Sequence, residues 1–195
     1  QAAPPSPRRA ANAGVKPPRG RGGAYRGDGT SDVPGVAPLA RFSPLLHVGN
    51  QYAAAHGAFD VVISTVCPRA ANGDMCRGLT THVLHFDDGH GEEAEEEAAF
   101  ASKLIVQGAG LVAKAIRAGR RTLVHCEWGQ NRSGAICCAY AVLYLGWSST
   151  RAIAHMRAQN RKHRKYAGQF PMSNGCFNRI VKKLEASRKA MRARG

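Results

Sequence analysis

The sequence predicts an α/β fold, with a central, mostly parallel sheet of four to five strands flanked by helices. Three observations carry this. Short apolar runs alternate with longer helical patterns from about residue 41 onward, the order expected when helices connect parallel strands. The stretch Ser133 to Leu145 is apolar nearly all round, as a helix packed on several sides must be. The chain has 195 residues with 44% hydrophobic content, which suffices for one core of ordinary size plus a tail.

The tail comes first. Residues 1–40 are rich in Pro, Gly, Ala and Arg and almost free of large apolar side chains, so the burial they offer does not offset their ordering entropy, and a disordered basic segment is expected. The folded domain is then expected over 41–195. Candidate strands are Leu45 to Val48, Phe59 to Val66, His82 to Phe86 and Thr122 to Val124. Between the third and the fourth, Glu92 to Arg117 reads as an amphipathic helix. Phe100, Leu104, Leu111 and Ala115 fall at helical spacing, with acids at its start and Arg117 near its end. Gly146 offers a stop for the central helix. Ser148 or Ser149 can cap the next helix, to about Asn160, and Ser173 or Asn174 can cap a last one with Phe177, Ile180, Val181 and Leu184 on one face.

The net charge of +15 points to acidic partners: nucleic acid, a phosphorylated protein or an anionic surface. Much of it lies late, since residues 151–195 hold thirteen Lys or Arg and a single acid, Glu185. No run of eighteen apolar residues occurs, the longest being roughly Gly134 to Trp147, so no membrane span is expected. Nothing resembles a secretory leader, and Gln1 in place of Met suggests a start further upstream. Six cysteines, at 67, 76, 126, 137, 138 and 176, have neither the density of a disulfide scaffold nor metal-ligand spacing, which favours reduced thiols in the cytoplasm or nucleus. His82, His85, His90 and His125 make no metal set, and no metal or cofactor is expected.

The chemistry sits where strand Thr122 to Val124 runs into His125-Cys126-Glu127-Trp128-Gly129-Gln130-Asn131-Arg132-Ser133-Gly134 and then the apolar helix. A strand, a short loop and a helix start gather backbone N–H groups around one point, where the helix dipole favours an anion. Cys126 lies at the base of this cradle, and the amides and the Arg132 guanidinium favour its thiolate, the nucleophilic form. Arg132 can hold two oxygens of a phosphoryl group with its planar fork. Gly129 allows close approach of the backbone, and the Ser133 hydroxyl is placed to donate to the sulfur as it leaves. Glu127 through Arg132 are thus the expected phosphate-binding loop.

His-Cys-x5-Arg-Ser resembles the signature of the protein tyrosine phosphatase superfamily, and the chain from about Pro44 to Glu185 resembles its dual-specificity branch. Leu46-His47-Val48-Gly49-Asn50 is similar to that branch's early strand and turn, and Asn174-Gly175-Cys176-Phe177 to the opening of its last helix. The resemblance implies the corresponding fold and a phosphatase acting on phosphotyrosine and phosphoserine or phosphothreonine through a phosphocysteine. His125 would orient the loop. An Asp after an upstream strand would act as general acid. Leu84 and Phe86 alternate inward and place Asp88 at that strand's exit, with Asp87 next, and Glu92 or Glu93 if the following loop folds in. The implied partner is a phosphorylated protein, a kinase among the candidates.

Other readings share these residues. Asn131-Arg132 and the basic C-terminal segment, including Arg161-Lys162-His163-Arg164-Lys165, admit an RNA 5′-phosphatase, although Glu127 would repel a triphosphate. A nucleic-acid-binding protein without catalysis would use the basic tail and last helix alone. The acidic run at Glu92, Glu93, Glu95, Glu96 and Glu97 reads as a solvated helix start. Cys137 and Cys138 read as core, with a protective disulfide to Cys126 as the alternative.

Overall fold

The computed structural model describes residues 36–56, 59–66, 80–88, 95–163 and 171–194. Among these, the chain runs β1 (Val36–Pro38), β2 (Leu46–Gly49), α1 (Ala53–His56), β3 (Val61–Ser64), β4 (Thr80–Val83), α2 (Glu95–Arg117), β5 (Thr122–His125), α3 (Arg132–Tyr144), α4 (Ser149–His163) and α5 (Gly175–Arg194). The sheet order is β1-β2-β5-β3-β4, antiparallel only at the β1–β2 edge. The expected strands are all present, with bounds displaced by up to three residues. The largest displacement is β4, which pairs over Thr80–Val83, while Leu84 and Phe86 continue past the ladder as buried residues.

Two sequence expectations need correction. The boundary at residue 40 lies inside the folded domain: Val36–Pro38 pairs with His47–Gly49, and Val36, Ala37 and Leu39 are buried. Three short residues beside two prolines show no periodicity, so only the neighbouring strand reveals them. Residues 1–35 lie outside the described residues, as do Cys67, Cys76, His90, Glu92, Glu93, Arg164 and Lys165. The second correction concerns α2. Its core-facing stripe is Ala101, Ile105, Gly108, Ala109, Val112, Ala113 and Ala115; of the residues expected there, Ala115 is buried, Leu104 and Leu111 are half-buried against the core, and Phe100 is 56% exposed. The face is centred on small residues because α2 packs close against α3: a Cβ on Gly108 would stand 2.7 Å from Ile136 Cδ1. By length and composition α2 could cross a membrane, contrary to the reading of the apolar runs, but its buried stripe is taken up by α3 as in any core helix.

α3 is central. Every residue from Arg132 to Val142 is buried, between α2, α4, α5 and the sheet. It ends where Gly146 takes φ 74°, letting the Trp147 N–H reach the Ala141 carbonyl at 3.1 Å. Ser148 caps α4 by accepting from the Arg151 N–H at 3.3 Å. Asn174 caps α5, its Oδ1 accepting from the N–H groups of Cys176 at 2.9 Å and Phe177 at 3.3 Å. Glu185 of α5 accepts from the Ser149 N–H and hydroxyl at 2.8 and 2.7 Å, tying the last helix to the start of α4.

Because β2, β3, β4 and β5 are mutually parallel, their C-terminal ends open on one edge of the sheet, where ligands of open α/β sheets bind. The Gln51 N–H beyond β2 donates to the Glu127 carbonyl at 3.2 Å, and the Thr65 N–H beyond β3 to the His125 carbonyl at 2.9 Å. The loop after β5 is thus sewn to the exits of its neighbours.

Candidate active site

Cys126 is buried, and its sulfur is met by two donors. The Gly129 N–H approaches Sγ at 2.9 Å and the Ser133 hydroxyl at 3.3 Å. Gly129 can turn its amide inward because it takes φ 68°, a left-handed conformation that a side chain would strain. Residues 127–130 form an open bend, with Glu127 and Trp128 exposed at its rim and Gly129 buried at its floor.

Arg132 opens α3 with its side chain buried and aimed across the loop. Its Nη1 lies 3.5 Å from the carbonyls of Thr65 and of Phe86, at the exits of β3 and β4. Main chain therefore holds one corner of the guanidinium. Its opposite edge, carrying Nε and Nη2, faces two carboxylates: Asp88 Oδ2 at 3.9 Å from Nε, and Glu127 Oε2 at 3.7 Å from Nη2. That is the edge a guanidinium uses to grip two oxygens of an oxyanion side by side, and both carboxylate contacts are long enough to yield to one.

Asp88 is where the exit of β4 was expected to bring it, partly buried and beside Arg132. Its Oδ1 accepts from the Asn174 side-chain amide at 3.1 Å. Asp87 is exposed and has no such contacts with the loop. Asn131 departs from the expected role in part. It belongs to the loop by its backbone, but its side-chain Oδ1 turns to the opening of α5, accepting from the N–H groups of Ser173 at 2.9 Å and Asn174 at 3.3 Å. The Gln130 carbonyl likewise accepts from the Met172 N–H at 3.4 Å.

His125 contributes through its backbone, since its carbonyl takes both the Thr65 N–H and, at 3.2 Å, the Thr65 hydroxyl. Burial pushes its imidazole down to about 4, so the ring is neutral near pH 7. Cys137 and Cys138 are fully buried on α3, and burial raises both thiols, which keeps them protonated. Sequence reading missed Thr65, Phe86 and the bridging role of Asn174. The first two act through carbonyls, which carry no residue signature, and Asn174 was legible only as a helix cap.

The description "dual specificity phosphatase, catalytic domain" fits residues 58–172 as a family match. The chain is similar to dual specificity phosphatase 28 of Mus musculus, 33% identical over 137 residues, which cover 67% of this chain and 77% of that protein. Its fold is similar to that of human DUSP28, with a TM-score of 0.58 and 22% identity over 80% of this chain and 96% of the other. A mouse dual specificity phosphatase complexed with zinc tungstate gives 0.60 and 23% over 82% and 91%. With a thiol held by amide and hydroxyl donors below an anchored arginine, and with most of its core spanned by this family, the chain belongs to the dual specificity phosphatases, hydrolases that cleave phosphoesters through a phosphocysteine.

Proposed function

We propose that Cys126 is the nucleophile, Arg132 the phosphoryl clamp, Asp88 the general acid and Ser133 the hydroxyl that assists sulfur departure. In the first step the Cys126 thiolate attacks phosphorus and the bond to the leaving oxygen breaks, while Asp88 passes its proton to that oxygen. The Nε–Nη2 edge of Arg132 and the loop amides take the equatorial oxygens, where charge develops. In the second step water attacks the phosphocysteine and gives a proton to Asp88. The S–P bond breaks, inorganic phosphate leaves, and the sulfur recovers its charge beside the Ser133 hydroxyl and the Gly129 N–H.

The observation that carries this reading is the paired approach of Gly129 and Ser133 to one buried sulfur, with the Nε–Nη2 edge of Arg132 over the same loop. The substrates are phosphotyrosine and phosphoserine or phosphothreonine in proteins. Glu127 at the rim speaks against a polyphosphate end, since it would stand against the extra negative charge. A thiol nucleophile requires a reducing compartment, so the cytoplasm or nucleus is the proposed location.

Hydrolysis of an aryl phosphate by the parent and by Cys126→Ser tests the assignment, with vanadate as inhibitor. A loss on the order of 10^4-fold or more is expected for the variant, and comparable rates for the two would reject the nucleophile. Phosphate release from a doubly phosphorylated peptide should exceed that from triphosphorylated RNA; the reverse order would reassign the substrate.

A further inference from the structure

We infer that Asn174 is a positioning residue for the proton donor, tying the general acid to the last helix through its side chain and to the phosphate loop through its backbone N–H. The inference rests on the reading of Asp88 as that donor. Each of its polar groups is engaged in a different direction. The amide Nδ2–H donates to Asp88 Oδ1 at 3.1 Å. The side-chain oxygen caps α5 through the N–H groups of Cys176 and Phe177. Its backbone N–H donates to Asn131 Oδ1, inside the loop that carries Cys126 and Arg132.

The consequence is geometric. The β4 ladder ends at Val83, with a last main-chain bond from the Leu84 N–H to the Ser64 carbonyl at 2.8 Å, so no strand ladder reaches the Asp88 carboxyl group. With Oδ1 engaged by the amide, Oδ2 is left as the oxygen that carries the proton, on the side of Arg132 Nε. An acid that must deliver its proton to a particular oxygen loses about 100-fold for a displacement of roughly 1 Å. Asn174 is itself held in place: it is 7% exposed, and Met172, two residues before it, takes φ 56° with its carbonyl accepting from Arg157 Nη2 at 2.8 Å and Asn178 Nδ2 at 3.0 Å. The opening of α5 is thus a rigid bracket, and Asn174 extends it to the acid.

Two substitutions separate this role from capping. Ser and Asp both cap helices well, so Asn174→Ser and Asn174→Asp keep the α5 cap and lose the amide donor. The full chain carrying each is assayed on two aryl phosphates, one with a good leaving group, such as a difluorinated coumarin, and one with a poor one, phenyl phosphate. Asp88→Asn and the double variant Asp88→Asn/Asn174→Ser are measured alongside. Melting temperatures within a few degrees of the parent are expected for the two Asn174 variants. Their kcat/KM should fall roughly 10- to 100-fold on phenyl phosphate and less than about threefold on the coumarin ester. In the Asp88→Asn background, Asn174→Ser should cost no more than about twofold on either substrate.

Equal losses on both substrates, or an undiminished loss in the Asp88→Asn background, would overturn the inference and leave Asn174 a structural residue. If Asp88→Asn itself failed to discriminate between the substrates, the reading of Asp88 as proton donor would fall, and this inference with it. Discrimination by Asp88→Asn without discrimination by either Asn174 variant would remove only the positioning role.

Discussion

Ser133→Ala isolates the second chemical step. The Ser133 hydroxyl lies 3.3 Å from the Cys126 sulfur, and both residues are buried, so the contact is not shared with bulk water. When the phosphocysteine breaks down, the sulfur regains a full negative charge, and a hydrogen bond to a charged group contributes about 1.5–3 kcal/mol. At about 1.36 kcal/mol per tenfold, that corresponds to a roughly 10- to 150-fold slower breakdown. The first step runs in the opposite direction, from thiolate to a neutral thioester-like sulfur, and the Gly129 N–H at 2.9 Å still supports the starting thiolate. Attack should therefore change little. With a good-leaving-group aryl phosphate in stopped flow, the variant should release close to one equivalent of phenol per enzyme in a burst and then turn over slowly. Acid quench should trap phosphate on Cys126. A uniformly lower rate with neither burst nor trapped phosphoenzyme would refute the reasoning, because it would place Ser133 in the attack step or in folding alone.

Glu127→Gln removes the exposed carboxylate that faces Arg132 Nη2 at 3.7 Å; an exposed pair of this kind contributes about 0.2–1 kcal/mol, so inorganic phosphate should inhibit the variant more tightly, by up to roughly fivefold. Unchanged inhibition would mean that Glu127 does not compete for the arginine edge. Gly108→Ala gains about 1 kcal/mol of helix propensity but sets a Cβ 2.7 Å from Ile136 Cδ1 and 3.0 Å from Cγ1 and Cγ2, an overpacking of about 1–3 kcal/mol. A lower urea midpoint is expected, and adding Ile136→Val should cost less than the two single changes summed. Burial lowers both His47 and His125 to about 4, with Arg121 adding to the effect on His47, so the unfolded chain binds their protons more readily. Their contribution to stability is complete above about pH 6.5 and is lost progressively as pH falls toward 4, at up to about 1.4 kcal/mol per unit for each. Denaturant unfolding at pH 7 and pH 5 measures it, and equal stabilities would show these rings to be reached by water.

The part of the site that is contiguous in sequence was legible from it. Cys126, Gly129, Arg132 and Ser133 announce a phosphate loop because a strand, a loop and a helix start supply the amides locally, with no need of the rest of the fold. Asp88 was legible too, one step removed, because Leu84 and Phe86 alternate inward before it. What escaped is what depends on long-range approach. The Arg132 anchor consists of two carbonyls, 67 and 46 residues away, that would be present whatever side chains stood there. The turn of Asn131 toward α5 spans 42 residues and looks in the sequence like one more polar group for phosphate. On α2 the large apolar residues suggested one stripe, yet Gly108 and its alanine neighbours determine the contact, because closeness of approach to Ile136 outweighs side-chain size.

These contacts divide the support of the site between two parts of the molecule. The sulfur and one corner of Arg132 are held by the sheet, through the exits of β3, β4 and β5, so the phosphate grip is as rigid as the parallel ladder beneath it. Asp88, beyond the end of its ladder, meets Arg132 on one oxygen and, on the other, Asn174 at the cap of α5, which by the inference above sets its orientation. In the proposed reading, oxyanion binding and proton delivery thus lean on different supports that are joined at the Arg132 edge, at the Phe86 carbonyl and at Gln130 and Asn131. A change confined to the base of α5 should then reach the proton donor before the phosphate grip: turnover of poor leaving groups would fall while affinity for vanadate, which needs no proton from Asp88, would hold.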